Sequence, residues 1–163
     1  MKKRIYQLLV DNSSGVLSRI AGLFSRRGYN IDSLTVGVTA DPRYSRMTIV
    51  TSGDDLTLDQ IGKQLNKLVD VRALKVLKEG ESVTRELVLI KIKSTVENRK
   101  NIVDIVNIFR AKIVDVGLNS MVIELIGAES KLNAFLNMLE GYEILELART
   151  GLTGLSRGMA DVT

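Results

Sequence analysis

Met47-Thr48-Ile49-Val50-Thr51-Ser52-Gly53 returns later in the chain as Met121-Val122-Ile123-Glu124-Leu125-Ile126-Gly127. Both segments open on methionine, hold isoleucine at the third place and close on glycine. Their β-branched content and alternating polarity read as strands. Working outward from each copy gives one order of elements. In the first half, 3–10 reads as a strand, 15–27 as a helix, 30–38 and 46–52 as strands, 55–69 as a helix and 71–77 as a strand. In the second half, 86–93 is a strand, 97–111 a helix, 113–116 and 120–126 strands, 131–139 a helix and 143–148 a strand. Each half is βαββαβ, the ferredoxin-like split unit. The expected class is α+β: two antiparallel sheets, each covered by two helices.

The four helices carry apolar residues at i, i+3, i+4 and i+7. Val16, Ile20, Leu23 and Phe24 share one face; so do Leu58, Ile61, Leu65 and Leu68. Ile102, Ile105, Val106 and Phe109 form the third stripe, and Leu132, Phe135, Leu136 and Leu139 the fourth. These stripes are core against a sheet. Arg26 and Arg27 followed by Gly28 make an ordinary helix end. The polar stretch 79–85 reads as a linker between a first domain, 1–78, and a second, 86–163. The second carries a glycine-rich tail over 151–158, which lacks the Gly-Lys-Ser/Thr of a phosphate loop. A mobile tail is expected in the free chain, with ordering on a partner. The loop 40–46, with the only proline, is longer than a hairpin needs and is a second place for a partner to touch.

The halves differ at one place. After the first strand of the first half stands Asp11-Asn12-Ser13-Ser14-Gly15-Val16-Leu17; in the second half it is Ser94-Thr95-Val96-Glu97-Asn98. A structural requirement would be expected in both copies, so the first loop reads as functional. It ends in a glycine where a helix begins. Such a helix start offers unpaired N–H groups and the positive end of a dipole, which suit an anion. Asp11 and Asn12 offer acceptors for a cation beside it. An anion and a cation so close describe the head of a free amino acid, with Val16 and Leu17 as an apolar wall. Gly15 lets a carboxylate approach the backbone with no Cβ in the way.

Composition limits the alternatives. The chain has 163 residues, is 45% hydrophobic, and holds neither cysteine nor histidine. This inventory excludes disulfides, thiolate and Ser-His-Asp chemistry and the usual zinc sites. No paired carboxylates stand in a recognisable catalytic setting, so a small hydrolase is disfavoured. No apolar run approaches the ~20 residues of a membrane span, and the N-terminus lacks a secretory core; a soluble cytoplasmic chain is expected. Residues 1–80 hold 13 Lys and Arg against 8 Asp and Glu, with no run of five or six like charges, which suits a solvated surface or an acidic protein partner better than a nucleic-acid groove. RNA-binding domains share βαββαβ but need aromatics on the central strands. Here those strands read Ile5-Tyr6-Gln7-Leu8 and Met47-Thr48-Ile49-Val50-Thr51.

The loop resembles the amino-acid-binding loop of ACT domains, D/N-x-x-G-x-L at a strand-to-helix junction. A wider set of blocks resembles the regulatory (small) subunit of acetohydroxyacid synthase, also called acetolactate synthase. These blocks are 22–34, 45–49, 63–71, Ile108-Phe109-Arg110 with Asp115-Val116, and Ala148-Arg149-Thr150-Gly151 with Gly154-Leu155-Ser156-Arg157-Gly158. The resemblance covers nearly the whole chain. It implies that the first unit is an ACT domain that pairs with a second copy, and that this chain catalyses nothing itself. It further implies a catalytic large subunit as partner, carrying thiamine diphosphate, magnesium and FAD, which this chain would activate and make sensitive to valine, leucine or isoleucine. The effector site would use Asp11, Asn12, Gly15, Val16, Leu17, Asn30 and Ile31, with Asn30 reaching the effector on the neighbouring subunit. A metal-responsive relative of this fold would need histidines, which are absent.

Overall fold

The computed structural model describes residues 1–159. The element order is β1 (Lys2–Asp11), α1 (Val16–Arg27), β2 (Ser33–Val38), β3 (Tyr44–Gly53), α2 (Asp55–Asn66) and β4 (Val71–Leu77). It continues through β5 (Ser82–Lys93), α3 (Arg99–Phe109), β6 (Lys112–Val116), β7 (Ser120–Gly127), α4 (Glu129–Met138), β8 (Ile144–Arg149) and β9 (Thr153–Ser156). The first sheet runs β2-β3-β1-β4 and the second β6-β7-β5-β8, all antiparallel. These are two ferredoxin-like βαββαβ units, as the repeat implied. The repeat is kept to the register: Leu8 faces Met47 in one sheet, and Ile92 faces Met121 in the other.

Each unit has its own core, on the face of the sheet that carries the helices. In the first, Tyr6, Leu8, Val10, Met47 and Ile49 meet Val16, Ile20, Phe24, Leu58, Ile61 and Leu65. In the second, Val88, Ile90, Ile92, Met121 and Ile123 meet Ile102, Val106, Leu132 and Phe135. Alternation along each strand sends these residues to one face. Tyr6 belongs to this buried set, and its hydroxyl donates to the Leu58 carbonyl. It therefore offers no ring to a base on the other side of the sheet.

Two expectations change. The linker 79–85 shrinks to a tight turn, in which the Glu81 N–H donates to the Lys78 carbonyl and Gly80 takes φ +80°. From Ser82 the chain is already strand, because Val83 and Thr84 favour extended backbone despite their polar neighbours. The glycine-rich tail, expected with 86–163, instead groups with the first unit: one compact unit holds Met1–Thr84 and the described residues 152–159, the other Arg85–Gly151. Residues 160–163 of that expected domain lie outside the described ones. The tail is ordered. Thr35 Oγ1 donates to the Leu152 carbonyl at 3.1 Å, Gln7 Nε2 donates to the Gly154 carbonyl, and the Arg157 N–H donates to the Glu81 carbonyl at 2.8 Å. β9 thus lies across the face of the first sheet opposite the helices. It explains why Gln7, Thr48 and Val50, which point to that face, are buried.

Candidate functional site

β1 delivers its last residues, Val10 and Asp11, to the end of the sheet where β3 begins; Asp11 faces Tyr44. The chain then turns through Asn12–Ser14 into α1. Gly15 is the residue before the helix and sits at φ +86°, a left-handed conformation that L side chains rarely adopt. No side chain caps α1, so the first-turn N–H groups face outward for an acceptor.

Two forked ion pairs frame this loop. Arg72 holds Asp11 through Nε at 2.7 Å and Nη2 at 2.9 Å. Arg19, one turn into α1, holds Asp70 through Nε at 2.5 Å and Nη2 at 3.1 Å. The Asp70 carbonyl also accepts the Asp11 N–H at 3.0 Å, tying the start of β4 to the start of the loop. Arg19 hydrogen bonding holds the Asp70 carboxyl below the ordinary carboxylate range. The hydrogen bond to Asp11 raises Arg72 further above its ordinary value. With the two pairs neutral together, the bias left at the loop is the positive end of α1.

The other sequence-selected residues fall as follows. Asn12 leans on the neighbouring loop, its Nδ2 donating to the Pro42 carbonyl at 2.9 Å and its backbone N–H to the Arg43 carbonyl at 2.8 Å. Neither bond uses its Oδ1. Leu17 is half-exposed. Val16 is only 4% exposed and packs in the core, so its side chain forms no wall for a ligand; what it offers is its backbone N–H. Both oxygens of Asp11 are committed to Arg72.

Asn30 and Ile31 stand elsewhere. The Asp32 N–H donates to the Val50 carbonyl, and Ser33 faces Val50. Asp11 faces Tyr44, six residues back along β3, so roughly 20 Å separates the two ends of the sheet. Within one chain, Asn30 and Ile31 do not meet the Gly15 loop. Asn30 is exposed, with Nδ2 donating to Asp32 Oδ1 at 2.9 Å.

The corresponding loop of the second unit is closed by its own bonds. Thr95 and Asn98 exchange hydrogen bonds of 2.7 and 3.2 Å, and Arg99 donates to Ser94 Oγ and to the Gly117 and Leu118 carbonyls. Loop 40–46 is also self-held, by the Arg43–Asp41 pair at 2.6 Å and the Arg43 guanidinium over the Tyr44 ring. Among the described residues, no three carboxylates gather to hold a metal, and no helix is long and apolar enough to cross a membrane. The sequence reading missed Arg19, Asp70 and Arg72. Arg19 carried a faint signal, standing four residues after Gly15 on the same side of the helix; its partner, 51 residues away, carried none.

Comparison with known proteins bears on the same regions. Residues 85–158 match the family described as small subunit of acetolactate synthase, and residues 6–73 match the AHAS small subunit-like ACT domain. The chain is 50% identical to the probable acetolactate synthase small subunit of Archaeoglobus fulgidus, over 96% of this chain and 98% of that one. It is 48% identical to the isozyme 3 small subunit of Escherichia coli, covering 96% of each. The crystal structure of the Thermotoga maritima small subunit superposes with a TM-score of 0.89 at 40% identity, over 98% of this chain and 99% of that chain. With both halves matched in order and the fold shared along its length, the chain belongs to the acetolactate synthase small-subunit family, its first unit being that family's ACT domain.

Proposed function

We propose that this chain is a cytoplasmic regulatory subunit that binds the catalytic large subunit of acetolactate synthase, raises its activity, and lets valine or a related branched-chain amino acid inhibit it. The thiamine diphosphate, magnesium and FAD of that reaction belong to the large subunit. The effector carboxylate meets the N–H groups at the start of α1, and its ammonium meets Asn12. The effector site lies between two copies of this chain.

The observation that carries the reading is the separation of Asn30 from the Gly15 loop. β2 is an edge strand, with Val36 and Val38 exposed along it. A two-fold pairing of β2 with its copy is antiparallel. It brings the partner's start of β2 to this chain's Val38 end, where Tyr44 and Asp11 stand. Each Asn30 then arrives at the other copy's loop, and an unpaired edge is covered. Inhibition follows by linkage: the effector binds the inhibited arrangement of the complex better than the active one.

The test is reconstitution with a catalytic subunit. Added chain should raise turnover severalfold, and valine should reverse this. Turnover unchanged at every protein ratio would reject the regulatory role. Stimulation that valine leaves untouched would reject the effector site alone.

A further inference from the structure

We propose that Arg19 is a binding residue for the carboxylate of the amino-acid effector, held in place by Asp70. This rests on the reading of the Gly15 loop as the effector site and extends it by a residue from inside the helix.

The geometry is specific. A Cβ built on Gly15 would stand 2.9 Å from Arg19 Nη1, 3.6 Å from Cζ and 3.9 Å from Nη2. The guanidinium therefore lies directly over the bare side of Gly15, beside the start of α1. Nε and Nη2 are spent on Asp70. Nη1 is the edge turned to Gly15, with two N–H donors directed away from the Asp70 fork. Asp70 is buried, and a buried carboxylate fixes the plane of the guanidinium that it holds. The long side chain thus loses little further freedom when a ligand arrives.

Glycine at position 15 serves two purposes here. It adopts the left-handed turn, and it leaves the guanidinium in a place from which a Cβ, 2.9 Å from Nη1, would displace it. The loop's donors then come in two kinds: backbone N–H groups, which any anion can use, and one charged edge, which strengthens an interaction with a full carboxylate more than with a neutral carbonyl. Arg19 would make the site prefer a free amino acid over its amide. In the second unit, where the loop is closed by its own bonds, Asn101 stands at the corresponding place in α3, and it has no charge to offer.

Calorimetric titration of the full-length protein with L-valine and with L-valinamide tests this. The unaltered chain should bind valine more tightly than the amide. Arg19→Gln should weaken valine about tenfold or more while changing valinamide little, so that the preference collapses. Arg19→Lys should keep part of the preference, since it keeps the charge but not the fork. Asp70→Asn should weaken valine less than Arg19→Gln does and retain the preference. A thermal melt of each variant confirms folding, and the valine-to-valinamide ratio is insensitive to a uniform loss of stability. An Arg19→Gln protein that keeps the unaltered ratio would overturn the Arg19 assignment while leaving the effector site standing. No valine binding by the unaltered chain would overturn both.

Discussion

The side-chain amide of Gln7 donates to the backbone carbonyl of Gly154, joining the middle of β1 to β9 across 147 positions of sequence. Gly154 has no space for anything more: a Cβ would stand 2.8 Å from Leu77 Cδ1 and Thr84 Cγ2, and 2.9 Å from the Val83 carbonyl. Gly154→Val should lift β9 off the sheet at a cost of about 1–3 kcal/mol. Hydrogen exchange is the measurement. Faster exchange around Gln7, Thr48 and Val50, with Ile90 and Ile123 of the second unit unchanged, is the expected pattern.

Gly15→Asp should abolish valine inhibition and spare stimulation of the catalytic subunit. Aspartate is among the few residues that tolerate left-handed backbone. Its carboxylate would lie beside the Arg19 guanidinium and the start of α1, where the effector carboxylate is expected. The loop would then be occupied by its own side chain. A valine dose–response on the reconstituted enzyme decides it; unchanged inhibition would move the effector elsewhere.

Asn30→Ala should weaken inhibition through the opposite subunit, which gives a mixing experiment. In a dimer of one Gly15→Asp chain and one Asn30→Ala chain, one site combines both defects and the other has an intact loop and an intact asparagine. The insensitive and the weakened protein, unfolded and refolded together, should therefore show a valine response stronger than either gives alone. No recovery, with mixed dimers confirmed by mass spectrometry, would argue that both residues act within one chain.

Asp70 makes stability depend on pH in a definite direction. Its carboxyl is held below the ordinary range by Arg19, so its contribution is complete above the unfolded value of about 3.9. That contribution is lost as pH falls through the lower folded value. Asp70→Asn should be less stable than the unaltered chain at neutral pH, and the two melting curves should converge in acid. A gap that stays constant below about pH 4 would mean that Asp70 stabilises by packing and not by charge.

Arg110 ends α3 at φ +55°, the only non-glycine residue with positive φ among those described. Its counterpart in the first unit is Gly28, which closes α1 with the same pattern: the cap N–H reaches back three residues and the following N–H five. Arg110→Gly should relieve about 1 kcal/mol of backbone strain. The expected readout is a higher urea midpoint with an unchanged slope.

The legible parts of this chain were those set by local pattern. Val16, Ile20 and Phe24, or Ile102 and Val106, repeat at helical spacing, and the Met47 and Met121 segments repeat each other, so the double βαββαβ could be read directly. The glycine that opens α1 was legible as a loop signal. What failed was whatever a distant segment decides. Leu152–Ser156 has little strand propensity; it is extended because β9 pairs with β5 and because Gln7 and Thr35 hold its carbonyls. Val16 stands in both readings, as core with Ile20 and as ligand wall with Leu17, and its burial keeps only the first. Arg19 and Asp70 meet because the fold brings the turn before β4 beside α1, and neither residue's neighbours announce the other.

The placement of β9 also bears on how the chain is made. The first unit is assembled from residues 1–84 and a strip that begins at Leu152, with the whole of Arg85–Gly151 synthesised in between. At about 5–20 residues per second, the first sheet waits several seconds for the strip that covers Gln7, Thr48 and Val50. During that interval the nascent protein presents a sheet face that the finished one hides. The ACT half is thus the first to be translated and the last to be completed.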